Sequence, residues 1–374
     1  MRTLALVLFA LGTASCHSNS DEILIGEVEA MTGSEAAFGT STHMGLELAV
    51  AEINAAGGIH GKKLKLLTLD DQGKPEEAAL AVTKLITQDG AQVVISGSNS
   101  TRCLAMVPIA QNHHIPFVAT GATNPKVTAQ GDYIFRTTFI DPFQGVVMAN
   151  FTTKTLGFKH VAILKDMKSD YSIGLAEYFA NTFKKEGGTI TIEQTYSFGE
   201  VDFKSQLTSI MSTKPDAIFI PGYYTEVALI ARQAHEQGVH AVLLGADGWD
   251  SPKLKEIAGT SIAGGYFSAQ YSPESTEEPV RRFMSTFKTH FGIAPDASCA
   301  LGYDGGKILG DAMGRAKELT AASIRDALAA TRDFQGATGK IRIDENRNAI
   351  KSAAVIKIDA KGDFRFHSSV APGN

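Results

Sequence analysis

Cysteine is scarce: there are three in 374 residues, Cys16, Cys103 and Cys299. That excludes a disulfide-stapled scaffold and a four-thiolate zinc site. Positive charge is not in excess, with 35 Lys and Arg against 40 Asp and Glu and a formal net charge of −5. The footprint of a nucleic-acid binder is therefore missing. Beyond the first dozen residues no run approaches the roughly 18 consecutive apolar residues of a membrane span. Catalytic and nucleotide-binding signatures are absent as well. No G-x-G-x-x-G follows the first strand pattern, no Walker sequence occurs, and there is no G-x-S-x-G elbow. His60 and the pair His113-His114 do not form a zinc-binding H-E-x-x-H. No cofactor, no metal and no enzymatic activity are expected.

The apolar share of 44% and charged share of 20% are those of an ordinary globular protein. The length corresponds to about 2.5 domains of roughly 150 residues. At the start, Arg2 precedes the apolar run Leu4 to Leu11, then small residues lead to Cys16. Residues 1–15 read as a signal peptide. The segment resembles a lipobox, with Thr13 where a Leu is usual, which makes Cys16 a candidate for lipidation. An ordinary signal peptide cut nearby is the alternative, and both export the protein to the periplasm or its equivalent. Residues 16–22 read as a tether. With Cys16 lipidated, Cys103 and Cys299 are left either as a disulfide or as two buried thiols.

From residue 23 strand and helix patterns alternate. Ile23 to Val28, Leu64 to Leu69, Val93 to Ile95 and Pro116 to Val118 are strand-like, with helical spacing between them. Pro75 opens one helix and Gly57-Gly58 closes another. The pattern restarts near Asp141-Pro142, with strands at Val161 to Leu164, Ile190 to Ile192, Ala217 to Ile220 and Val242 to Leu244. Residues 278–330 are mostly helical and Ala353 to Ile358 is the last strand. This is an α/β chain forming two doubly wound parallel-sheet lobes.

Ligands of open α/β sheets sit beyond the carboxyl ends of the strands. The first unit places Ser98, Asn99 and Ser100 there, and Ala122 and Thr123 beyond the next strand. Hydroxyls and free N–H groups suit a carboxylate. The second unit places Tyr171, Tyr223, Asp247 and Trp249. An acid and phenols suit an ammonium. Singly, Ser100 and Thr101 are also helix caps, Asp247-Gly248 a turn, Tyr223 and Tyr224 packing aromatics, and Trp249 a core residue.

Taken together, Thr32-Gly33 with Phe38-Gly39, Ile53-Asn54-Ala55-Ala56-Gly57-Gly58-Ile59, Asp70-Asp71, Gly121-Ala122-Thr123-Asn124-Pro125, Phe135-Arg136-Thr137 and Gly222-Tyr223-Tyr224 make the chain similar to one family from end to end. It resembles the leucine/isoleucine/valine-binding proteins of ABC importers, with the type I periplasmic-binding fold. The resemblance implies two lobes joined by a three-segment hinge, residues 23–140 with 271–352 and residues 141–270 with 353–374. It implies a ligand carboxylate at Ser100, Ala122 and Thr123, an ammonium at Thr123, Asp247 and Tyr171, and side-chain contacts at Phe38 and Tyr223. Ser98, Asn99 and Trp249 are further candidates. The implied partners are an amino acid, branched-chain by family default, and the permease subunits of the importer, with a lipid anchor as the sole membrane attachment and a monomeric protein. The cysteine pair of some members is missing, with Gly73 and Asn99 in its places. The competing readings are a sensor on the same fold, a hydrolase or oxidoreductase, and a binding protein for aromatic acids, amides or urea.

Overall fold

The computed structural model describes residues 21–372, so the leader, Cys16 and most of the tether lie outside the described residues. The first sheet is built from β1 (Glu22–Glu29), β2 (Lys63–Asp70), β3 (Val93–Ser96), β4 (Phe117–Ala119) and β5 (Ile134–Arg136). Its order is β2-β1-β3-β4-β5, parallel throughout. The intervening helices are α1 (Ala36–Ala55), α2 (Pro75–Thr87) and α3 (Ser100–Asn112). In α2, Pro75 occupies the first turn with Glu76 and Glu77, and Lys84 lies in the last. Fixed φ at the start and charges matched to the helix dipole favour that helix locally. Its Ala78, Val82 and Leu85 bury one face against the sheet.

The second sheet takes β6 (His160–Asp166), β7 (Thr189–Tyr196), β8 (Ala217–Phe219), β9 (Val242–Gly245), β10 (Tyr266–Ala269), β11 (Ala353–Ile358) and β12 (Phe364–Val370). The order is β12-β11-β10-β9-β8-β6-β7. The helices around it are α4 (Asp141–Asn150), α5 (Asp170–Lys185), α6 (Lys204–Ser212), α7 (Tyr224–Glu236) and α8 (Pro252–Ala258). This lobe is not wholly parallel as expected: β10–β11 and β11–β12 are antiparallel. The turn between β11 and β12, where Gly362 has φ +78°, leaves no room for a crossover helix, and short returns can only be antiparallel. β12 escaped the sequence reading because it is a largely exposed edge with no apolar run.

The chain returns to the first lobe through α9 (Glu278–Phe291), α10 (Ala297–Arg315) and α11 (Ala321–Ala329), followed by a small sheet of residues 334–350. In α9, Val280, Phe283 and Phe287 are buried at helical spacing, and Gly292 with φ +76° ends the helix. Helix α10 then lies directly on α1. A Cβ added at Gly45 of α1 would stand 1.9 Å from the Cys299 carbonyl oxygen, and one at Gly302 of α10 would stand 2.2 Å from the Thr42 carbonyl oxygen. Glycine on both sides is what allows two backbones to approach this closely. Cys103 and Cys299 are both free and buried, which settles the choice left open above in favour of two thiols; burial pushes the Cys103 thiol up to about 12.

Gly45→Ala should lower stability by at least about 1–3 kcal/mol through overpacking of backbone. Urea denaturation of wild type and variant measures it, and an unchanged midpoint would show that the two helices separate freely.

Candidate functional site

The carboxyl ends of the parallel strands of both sheets face one another across a cleft. On the first-lobe side, Asn99 is the N-cap of α3 and its side chain accepts from the Arg102 N–H at 3.1 Å. Ser100 is therefore released from the capping role that its position suggests. Its Oγ accepts from the Asn124 N–H at 3.1 Å and ties the loop after β4 to the start of α3. The buried guanidinium of Arg136 holds the same loop from beneath, donating to the Ala122 carbonyl at 2.9 Å and the Asn124 carbonyl at 2.6 Å. The Thr123 carbonyl accepts from the Asp141 N–H at 3.0 Å, while Ala122 and Thr123 keep backbone N–H groups that have no hydrogen-bond partner among the described residues. A rigid loop thus presents donors without acceptors, a setting for an anion.

On the second-lobe side Asp247 follows β9. One oxygen accepts from the Tyr171 hydroxyl at 2.9 Å and Gln144 Nε2 at 3.0 Å, and the other from Gln270 Nε2 at 3.2 Å. Burial pushes its carboxyl above the usual range, and these hydrogen bonds pull it back. Tyr171 stacks on Tyr223 with centroids 5.1 Å apart. From the first lobe, Phe38 meets Tyr224 edge-on at 4.8 Å and Tyr223 at 6.4 Å.

The cleft is shut. The Tyr224 hydroxyl donates to the Ser34 carbonyl at 2.7 Å, and Asn124 Nδ2 donates to the Asp170 carbonyl at 2.8 Å, each across the seam. Between the lobes lies a cavity of about 60 Å³. Of the residues singled out from sequence, Phe38, Asn99, Ser100, Thr123, Tyr171, Tyr223 and Asp247 line it. Three do not. The Ala122 side chain is buried behind the wall, so only its backbone is available. Ser98 is turned away and donates to Asp71. Trp249 is a core residue: its ring is fully buried, its Nε1 donates to the Ile220 carbonyl at 2.9 Å, and it packs near Phe267. The indole goes inward because Gly245 leaves space for it, a Cβ there falling 2.0 Å from the ring.

The cavity also contains acidic residues that the sequence reading did not single out: Glu29, Glu35 and Asp250. Glu35 pairs with Arg102 at 2.7 Å, and the other side of that guanidinium meets Asp71 at 3.0 Å. Asp70-Asp71 was visible only as a motif, and its pairing with Arg102 had no sequence signal. Among the described residues no three His, Cys, Asp or Glu gather in a way that could hold a metal ion, and no helix is long and apolar enough to cross a membrane.

Residues 22–363 match the family described as periplasmic binding protein. The Leu/Ile/Val-binding protein homolog 3 of Brucella melitensis is 31% identical over 283 residues, 75% of this chain and 76% of that relative. A crystal structure of the leucine binding protein LivK from Thermotoga maritima is 38% identical with TM-score 0.90, covering 94% of this chain and 99% of that one. The branched-chain amino acid transporter substrate binding protein LivJ from Streptococcus pneumoniae, solved in complex with isoleucine, is 32% identical with TM-score 0.87, covering 93% and 98%.

Asp141 lies beside the acid at the seam. Burial pushes its carboxyl up to about 7, the Asp247 charge adds to this, and a hydrogen bond with Thr123 opposes it. An unfolded aspartate titrates near 4. Between about pH 4 and pH 7 the folded chain holds a proton that the unfolded chain releases, so this group makes stability fall as pH rises through that window. Asp141→Asn should flatten that part of the profile. Urea midpoints of the ligand-free protein at three pH values test it, and parallel profiles for the two proteins would contradict it.

Proposed function

The chain belongs to the periplasmic binding protein family, and on that premise we propose that it is the substrate-binding component of an ABC importer, taking an α-amino acid into the cleft between its lobes. One observation carries this reading. Donors without acceptors at Ser100 and Thr123, with the Ala122 N–H just behind them, face a buried carboxylate, Asp247, across a single cavity. The two poles match the carboxylate and ammonium of a zwitterion. The three relatives described above are named for leucine, for branched-chain amino acids or for leucine, isoleucine and valine, and one was solved with isoleucine; amino acids of branched shape are the class we assign.

The carboxylate is received by the Ser100 hydroxyl and the N–H groups of Ala122 and Thr123. The ammonium goes to Asp247, with Thr123 and the Tyr171 hydroxyl beside it. Phe38 and Tyr223 flank the side chain. Asn99 shapes the wall, Ser98 supports the loop through Asp71, and Trp249 anchors the Asp247 loop from the core. The lobes comprise residues 23–140 with 271–352 and residues 141–270 with 353–374. Ligand docks on the first lobe and the second shuts over it, because Asp247 meets the ammonium only when the cleft is closed. The closed form is what a membrane permease recognises. Export through residues 1–15, anchoring at Cys16 and a monomeric state complete the proposal; a purely anionic aromatic acid fits the Asp247 pole poorly.

Asp247→Ala removes one member of a desolvated ion pair and should cost roughly 3–5 kcal/mol of affinity, so titration calorimetry with leucine, isoleucine or valine should register little or no heat. Wild-type affinity in that variant would sink the reading. Tyr224→Phe removes a hydroxyl that bridges the closed lobes and should weaken binding by about 0.5–1.5 kcal/mol, seen in the same titration; an unchanged Kd would show that this bridge does not stabilise closure.

A further inference from the structure

Glu29 ends the strand that lies between β2 and β3, so its side chain enters the cleft from the floor of the first lobe. The residue is 1% exposed. Its Oε1 accepts from the Gly97 N–H, while Oε2 has no partner. The cations nearby are already committed: Arg102 to Glu35 and Asp71, and His43 to Glu27. Asp250, on the opposite wall, has no side-chain hydrogen bond among the described residues, and burial followed by the charge of Asp296 pushes it well up. Burial, then the charge of Glu27, does the same to Glu29. Protonated or ionised, Oε2 is a buried polar atom that needs a polar partner.

We infer that Glu29 reads the ligand side chain, and that this cleft prefers an amino acid whose side chain carries a hydrogen-bonding group (hydroxyl, amide or ammonium) over its aliphatic match. The inference rests on the amino-acid reading above and narrows it. An aliphatic side chain closing over Oε2 would seal that atom in a dry cavity with nothing to bond. Sites built around such a buried polar group reject ligands that leave it unpaired. Threonine has the branched shape of valine with one methyl replaced by a hydroxyl, so it keeps the fit between Phe38 and Tyr223 while supplying the partner.

Calorimetry with three shape-matched pairs tests this: valine with threonine, leucine with asparagine, and norleucine with ornithine. The polar member of at least one pair should bind at least about tenfold more tightly. Glu29→Met should bring that ratio close to one and Glu29→Gln should retain most of it; Glu29→Ala replaces the methionine variant if the latter does not fold. Apolar members that equal or exceed their partners in all three pairs overturn the inference and leave the amino-acid reading standing. A ratio unmoved by removing the carboxyl overturns it too. Binding of none of the six sinks both readings together.

Discussion

A carboxylate buried at the seam of two lobes has to be paired, and the way Asp247 is paired organises the molecule. Its donors come from three separate stretches of chain: Gln144 in α4, Tyr171 in α5 and Gln270 just after β10. Two of these also hold the hinge. Gln144 Oε1 accepts from the Ser268 hydroxyl, and Gln270 Oε1 accepts from the Phe139 N–H, so both crossing strands are joined through the residues that steady the acid. The site and the hinge are therefore one hydrogen-bond network. The partners of Asp247 are thus the same residues that bond the segments crossing between the lobes.

The third crossing is built on the same principle in a different place. Lys351, 1% exposed, precedes β11 and bonds the Thr338 hydroxyl, while Asp304 of α10 takes the N–H groups of Ala337 and Thr338. Burial lowers the Lys351 ammonium to about 8, and the Asp304 charge opposes that shift. Buried ions held in this way contribute geometry more than net stability. In the cleft the balance is less complete. Arg102 pairs with both Glu35 and Asp71, a single positive charge for two acids, and Glu29 Oε2 in the same cavity has no hydrogen-bond partner among the described residues.

Much of the architecture was legible in the residues. The alternation of strand and helical periods from β1 to β9 specified two α/β units, since each period tells which face is buried. A strand with little apolar content was not legible: β12 lies on an exposed edge. The antiparallel end of the second sheet escaped for a related reason. Strand direction depends on which neighbour a segment meets, and β11 meets β10 only after the chain has travelled through α9, α10 and α11.

The site divides along the same line. Local sequence placed Ser100, Thr123, Tyr171, Tyr223 and Asp247 at strand ends, because the carboxyl end of a parallel strand is a position in the sequence as much as in space. The neighbouring Ser98 and Trp249 carry equally suggestive chemistry, yet one is spent on Asp71 and the other packs into the core. Periodicity and composition could say that polar side chains gather at these loops. Which of them stay unpaired is decided by partners tens to hundreds of residues away, as Gly97 is for Glu29 and Gln144 for Asp247. Burial and pairing belong to the assembled fold because both depend on what lies opposite an atom, and that is not encoded in its own stretch of chain.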